Sequence, residues 1–116
     1  MTGFVYYTIL CRMIKKYQSQ GYEIVTGKHP DYPDDIDHLL HSYRPDLVAH
    51  RNGSYLICDV ETVETIDMNE TIKHWELISN SKYSLDVALP INCYEHARSV
   101  AQKHQIQVLN WWKVLI

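Results

Sequence analysis

The dipeptide Asn52-Gly53 stands between two runs rich in β-formers, Asp46 to Arg51 and Ser54 to Thr65. A two-residue hairpin loop needs φ > 0 at both central positions, which Asn and Gly tolerate best. This turn predicts a register: Arg51 faces Ser54, Val48 faces Ile57 and Asp46 faces Asp59. Side chains alternate along a strand, so Asp59 and Glu61 fall on the same face as Asp46. Counting pairs outward from the turn makes Asp46–Asp59 a non-hydrogen-bonded pair, with Cβ atoms ~4.5–5.5 Å apart. Glu61 lies on the diagonal, within reach of both.

Three acids on one face oppose one another, because like charges directly across a sheet are destabilising. Val48 and Ile57 share that face and imply partial burial, which disfavours charge further. Either one carboxyl keeps a proton or a cation sits among the three. Ligands that are all oxygen suit Mg²⁺ or Mn²⁺. The competing reading is a solvated outer face on an edge hairpin, where acids are ordinary.

The rest of the chain predicts what surrounds the hairpin. Apolar residues from Phe4 to Gln20 recur at helical spacing, with Arg12, Lys15 and Lys16 off the stripe and Gly21 placed to end the helix. Tyr22 to Val25 reads as a strand, and Thr26 to Arg44, with Pro30, Pro33 and four aspartates, as a loop with one helical turn at Ile36 to His41. His38 and His41 are spaced to share a helical face, although a solvated loop is the better reading. Met68 to Ser79 is predicted helical, with Asp67 as N-cap and Glu70 completing a capping box. Tyr83 to Leu89 reads as a strand ended by Pro90, Tyr94 to Gln105 as a helix, and Ile106 to Asn110 as a last strand before the apolar tail Trp111 to Ile116. The order αβββαβαβ predicts an α/β (α+β) fold, a mixed β-sheet flanked by helices, in one domain over residues 1–116.

Composition narrows the class less than the hairpin does. A formal net charge of −3 neither advertises nor excludes nucleic-acid binding. Cys11, Cys58 and Cys93 are scattered among apolar residues and read as reduced thiols rather than disulfides or a zinc site. No apolar run approaches the ~20 residues that span a bilayer, so the expectation is a cytoplasmic protein that does not enter membranes. No Gly-rich phosphate loop, Gly-x-Ser-x-Gly or Cys-x-x-Cys occurs.

The segment Arg44-Pro45-Asp46-Leu47-Val48-Ala49, followed by Tyr55-Leu56-Ile57-Cys58-Asp59-Val60-Glu61-Thr62, resembles the PD-(D/E)xK nuclease superfamily, whose core is restriction-endonuclease-like. The resemblance implies that Asp46 matches the first motif acid and Asp59 the second, both as metal ligands. Glu61 occupies the place usually held by lysine. Some members of the superfamily place Glu there, where it orients water or metal; otherwise a lysine from the following helix, Lys73, would compensate.

These readings converge on a divalent-metal-dependent endonuclease that hydrolyses DNA phosphodiester bonds with Mg²⁺ or Mn²⁺. Asp46, Asp59 and Glu61 would be ligands, and Asp46, Asp59, Glu61 and Lys73 the catalytic set. The alternative is a catalytically inactive protein of the same fold, acting as a nucleic-acid-binding or assembly subunit. More remote is an interaction module whose acidic loop Asp31 to Asp37 binds a basic partner. Arg12, Lys15, Lys16, Arg44 and Arg51 could meet phosphates, and Tyr6, Tyr7, Trp111 and Trp112 could stack on bases, though ordinary surface charge and core packing are the better readings of them. His50 lies ~13 Å along the strand from Asp46, outside the pocket. The Trp111 to Ile116 tail could form the seam of a homodimer or complete the core.

Overall fold

The computed structural model describes residues 2–28 and 43–116. The acidic loop with Asp31 to Asp37, the turn at Ile36 to His41 and the His38/His41 pair lie outside the described residues.

Helix α1 spans Thr2–Ser19 and ends where Gly21 takes φ +86°, a conformation that turns the chain into β1, Glu23–Gly27. The hairpin follows as β2, Leu47–Arg51, and β3, Ser54–Val60. Its turn residues Asn52 and Gly53 have φ of 53° and 81°, and the register runs from Arg51 opposite Ser54 to Leu47 opposite Cys58. Helix α2, Asn69–Ser79, leads to β4, Ser84–Pro90, then a single 3-10 turn at Ile91–Cys93, helix α3 at Tyr94–Lys103 and β5 at Asn110–Val114.

The five strands lie in sequence order, β1-β2-β3-β4-β5. The first two pairings are antiparallel and the last two parallel. Parallel neighbours need a crossover, which α2 and α3 provide. Both pack on the same face, where Trp75, Ile78, Ala97 and Ala101 meet Val48, Ile57, Leu85 and Val87. Helix α1 covers the other face, with Ile9, Leu10, Met13 and Tyr17 against Leu47, Ala49, Leu56, Cys58 and Ala88. Each such aliphatic side chain, fully buried, contributes about 1.5–3 kcal/mol. The result is a mixed five-stranded sheet flanked by helices, as expected for a restriction-endonuclease-like fold.

Three elements depart from the sequence reading. The hairpin's second strand stops at Val60 rather than running to Thr65, so Glu61 lies just past it. The last strand covers Asn110–Val114 rather than Ile106 to Asn110. Trp111 and Trp112 point to opposite faces: Trp111 packs edge-on against Trp75 and Tyr94, and Trp112 against Tyr17. Two large rings anchored in two cores outweigh the aliphatic alternation of Ile106 and Val108. Asp67 does not cap α2. The N-cap is Met68, without a side-chain cap, and Asp67 instead meets His96 Nε2 at 2.6 Å. The chain before α2 is held by Thr71, whose hydroxyl donates to the Thr65 carbonyl at 2.7 Å.

The α1 face of the sheet also encloses a carboxylate. Asp86 is fully buried and accepts from the Tyr17 hydroxyl at 2.6 Å, Trp112 Nε1 at 2.8 Å and the Asn110 amide at 3.1 Å. Burial pushes its carboxyl up from the usual range, and these hydrogen bonds bring it part of the way back.

Candidate active site

Asp46 sits one residue before β2, Asp59 near the end of β3, and Glu61 just beyond it. Opposite Leu47–Cys58, the same register carries Asp46 across from Asp59. Asp46 is held in place by the partner strand, since its Oδ2 accepts the Val60 N–H at 2.8 Å. The three acids are only 5%, 3% and 4% exposed. A solvated outer face does not describe them.

Every wall of the pocket contributes a polar partner. From α1, the Tyr6 hydroxyl donates to Asp46 Oδ1 at 2.5 Å. From α2, Trp75 Nε1 donates to Asp59 Oδ2 at 2.7 Å, and the Thr71 hydroxyl, which donates to the Thr65 carbonyl, lies 3.3 Å from Glu61 Oε1. Thr65, in the turn after β3, donates to the same Glu61 oxygen at 2.5 Å. Tyr43 approaches Asp59 Oδ1 at 3.4 Å and stacks on His74, ring centroids 4.1 Å apart.

These surroundings set the protonation of the pocket. Burial foremost, then the charge of Glu61 and a hydrogen bond with it, then the same two effects from Asp46, push the Asp59 carboxyl well above the usual range. Burial and the neighbouring carboxylates raise the Tyr6 and Tyr43 phenols, so both remain donors. Burial, then the charge of Lys28, lowers His74, which favours neutral imidazole.

Among the described residues, the cation in the pocket is Lys28. Its Nζ lies 3.4 Å from Asp46 Oδ1. A register shift between Ile24 and Thr26 explains its position: before the shift Ile24 opposes Ala49, after it Gly27 opposes Leu47. The Lys28 N–H then donates to the Asp46 carbonyl at 2.9 Å. Without the extra residue Gly27, not Lys28, would face Asp46. Bulges on edge strands commonly re-aim a side chain in this way. Lys73 is exposed on α2 and borders a separate depression with Glu76, Leu77, Asn80 and Ser81. His50 packs on Tyr55, centroids 4.7 Å apart, away from the acids, and Glu64 is exposed.

The structure thus brings Asp46, Asp59 and Glu61 together and leaves Lys73 outside. Sequence reasoning does not place Lys28, Tyr43, Thr65, Thr71, His74 or Trp75 in the pocket, and considers Tyr6 only for stacking on bases. Only Trp75 had a local signal, a Trp on the inward stripe of α2, whose N–H must find an acceptor when buried.

The donor chemistry suits a hard divalent ion: three carboxylates, with the most buried one crowded by two like charges. The shell is not assembled, however. Among the described residues, no three His, Cys, Asp or Glu side chains stand in a geometry that holds a metal ion. Tyr6, Lys28 and the Val60 N–H now engage both Asp46 oxygens, and Trp75 one of Asp59.

An antiparallel hairpin joined to parallel strands, with acids at the start of one strand and the end of the next, is consistent with a restriction-endonuclease-like fold. The chain belongs to the REase_AHJR-like family, a restriction-endonuclease-like family whose model matches residues 7–109. That membership points to nuclease chemistry on nucleic acid, which such enzymes generally support with divalent metals. No curated protein and no solved structure matches the chain significantly. Among the described residues, no helix is long and apolar enough to cross a membrane.

Proposed function

We propose that the pocket is the active site of a divalent-metal-dependent endonuclease that hydrolyses DNA phosphodiester bonds. The observation that carries this reading is the burial of three facing carboxylates with Lys28 beside them. Nothing in core packing requires such a group, and removing it from water is costly unless it is compensated.

Asp46, Asp59 and Glu61 would hold Mg²⁺ or Mn²⁺. When bound, the ion supplies charge neutralisation for the phosphate and lowers the pKa of water. The protein supplies the rest. Tyr6 and Trp75 fix the orientation of Asp46 and Asp59 through charge-assisted hydrogen bonds. Thr65 holds one oxygen of Glu61, leaving its second oxygen to orient or deprotonate the attacking water. Lys28 takes the role the motif lysine has elsewhere: its ammonium would release Asp46 and donate to a non-bridging phosphate oxygen as charge builds there. Lys73, exposed and on another surface, has no such line of approach.

The second reading, an inactive nuclease fold used for binding or assembly, is favoured by Glu61 in the lysine position. Incubation of a labelled DNA duplex and single strand with Mg²⁺ or Mn²⁺ separates the two. The enzyme reading expects cleavage that EDTA stops and that Asp46→Asn and Asp59→Asn abolish while both variants keep their circular dichroism. Intact DNA with the folded wild type, at any divalent concentration up to the millimolar range, favours the binding subunit.

A further inference from the structure

Helix α1 carries a second stripe that the pocket does not use. Phe4, Tyr7, Thr8, Cys11, Arg12 and Lys15 recur at intervals of three and four residues, on a different side from buried Ile9, Leu10, Met13 and Ile14. With Gly3 they line one surface depression. At 1.5 Å per residue the stripe is about 16 Å long. Phe4 is 72% exposed and Tyr7 39% exposed, two aromatic rings presented on a helix that has ample core to bury rings in.

Charge says what such a face would receive. The chain has 14 acidic and 11 basic residues, yet α1 contains Arg12, Lys15 and Lys16 and no acid at all. The described lining of the depression therefore holds two cations and no anion. A positive face with exposed aromatic rings on an acidic chain complements an anionic polymer that carries flat apolar groups. That combination of cations tracking a backbone and rings stacking on bases is the physical pattern of single-strand binding. Bases inside a duplex are already stacked and cannot cover a protein ring.

We infer that the outer stripe of α1 binds an unpaired segment of nucleic acid, with Phe4 and Tyr7 stacking on bases and Arg12 and Lys15 meeting phosphates. This deepens the proposed nuclease reading by naming the form of the substrate, a strand that is single or locally opened at the cut.

The test is fluorescence anisotropy with a labelled single-stranded oligonucleotide and the matching duplex, in EDTA, so that binding is read without cleavage. Wild type is expected to bind the single strand more tightly than the duplex. Phe4→Ala should weaken single-strand binding roughly 5- to 100-fold, the usual range for one lost stacking contact, with little change for the duplex. Phe4→Trp should restore it. Lys15→Gln should lower the salt dependence, the slope of log K against log salt falling by about 0.7 for one phosphate lost from a single strand. Equal affinity of wild type and Phe4→Ala for the single strand would overturn the inference. So would a parallel loss on the duplex, or a wild-type dimer in light scattering that Phe4→Ala turns to monomer, which would make this face a contact between copies. Because binding is read without metal, absent cleavage in the Mg²⁺ or Mn²⁺ incubation would defeat the nuclease reading alone, and Phe4-independent binding in EDTA the strand-binding inference alone.

Discussion

Lys28 Nζ stands 3.4 Å from Asp46 Oδ1, on the strand that flanks Asp46 opposite to Asp59. The pairing exists because β1 gains one residue at its bulge, which moves Lys28 level with the acid. A lysine on an edge strand thus reaches the pocket from the side away from the position where the resemblance expected one, two residues after Asp59.

Lys28→Ala is expected to lower the single-turnover rate of DNA cleavage by about 10²–10³, the usual effect of removing one donor aimed at developing charge. Lys73→Ala should leave the rate within about twofold. A reversal of these two effects would return the catalytic lysine to α2.

Asp59 and Asp86 both hold their protons more tightly when folded than when unfolded, chiefly because they are buried. Their contribution to stability is complete below the ordinary carboxylate value of 3.8 and is lost as pH rises through the raised folded values. In EDTA, the Tm should therefore fall as pH climbs from about 4 towards neutrality. Asp86→Asn should make that decline shallower. Thermal melts across the range check it; a Tm that rises steadily over the same window would contradict it.

Tyr17→Phe removes a donor from the fully buried Asp86 carboxylate without changing the shape of the ring. The expected loss is about 1–3 kcal/mol in urea unfolding, with cleavage per folded molecule unchanged. A drop in activity larger than the loss of folded protein would tie the Asp86 network to the reaction.

Gly53→Ala should destabilise the hairpin by about 1–2 kcal/mol, because φ of 81° is unfavourable for any residue with a Cβ. The added methyl would meet no atom within 4 Å, so the cost is that of the backbone alone. An unchanged unfolding midpoint would mean that the turn does not set the register.

This turn is also why so much was legible beforehand. Asn52-Gly53 fixes the β2–β3 register, and the register alone gathers Asp46, Asp59 and Glu61 on one face. The helix-then-strand order follows from hydrophobic spacing in α1, α2 and α3. Features set by distant contacts were not legible. Lys28 depends on a bulge that leaves no mark in Glu23–Gly27, and Tyr6 reaches Asp46 from forty positions away in the chain. β5 was displaced because its strand character rests on Trp111 and Trp112 filling two separate cores, which local alternation does not reveal. Asp86 passed unnoticed as one polar residue in the strand Ser84–Pro90, although an acid in an otherwise apolar strand is itself a sign of a buried partner.

The central claim is that Asp46, Asp59 and Glu61 share a divalent ion. Crystals soaked in Mn²⁺, with anomalous scattering recorded at the manganese edge, test it most directly. The account predicts a peak within ~2.0–2.2 Å of oxygens from Asp46 and Asp59, with Lys28 drawn away from Asp46. Carboxylates left without an ion at millimolar Mn²⁺, still bonded to Tyr6, Trp75 and Lys28, would contradict it.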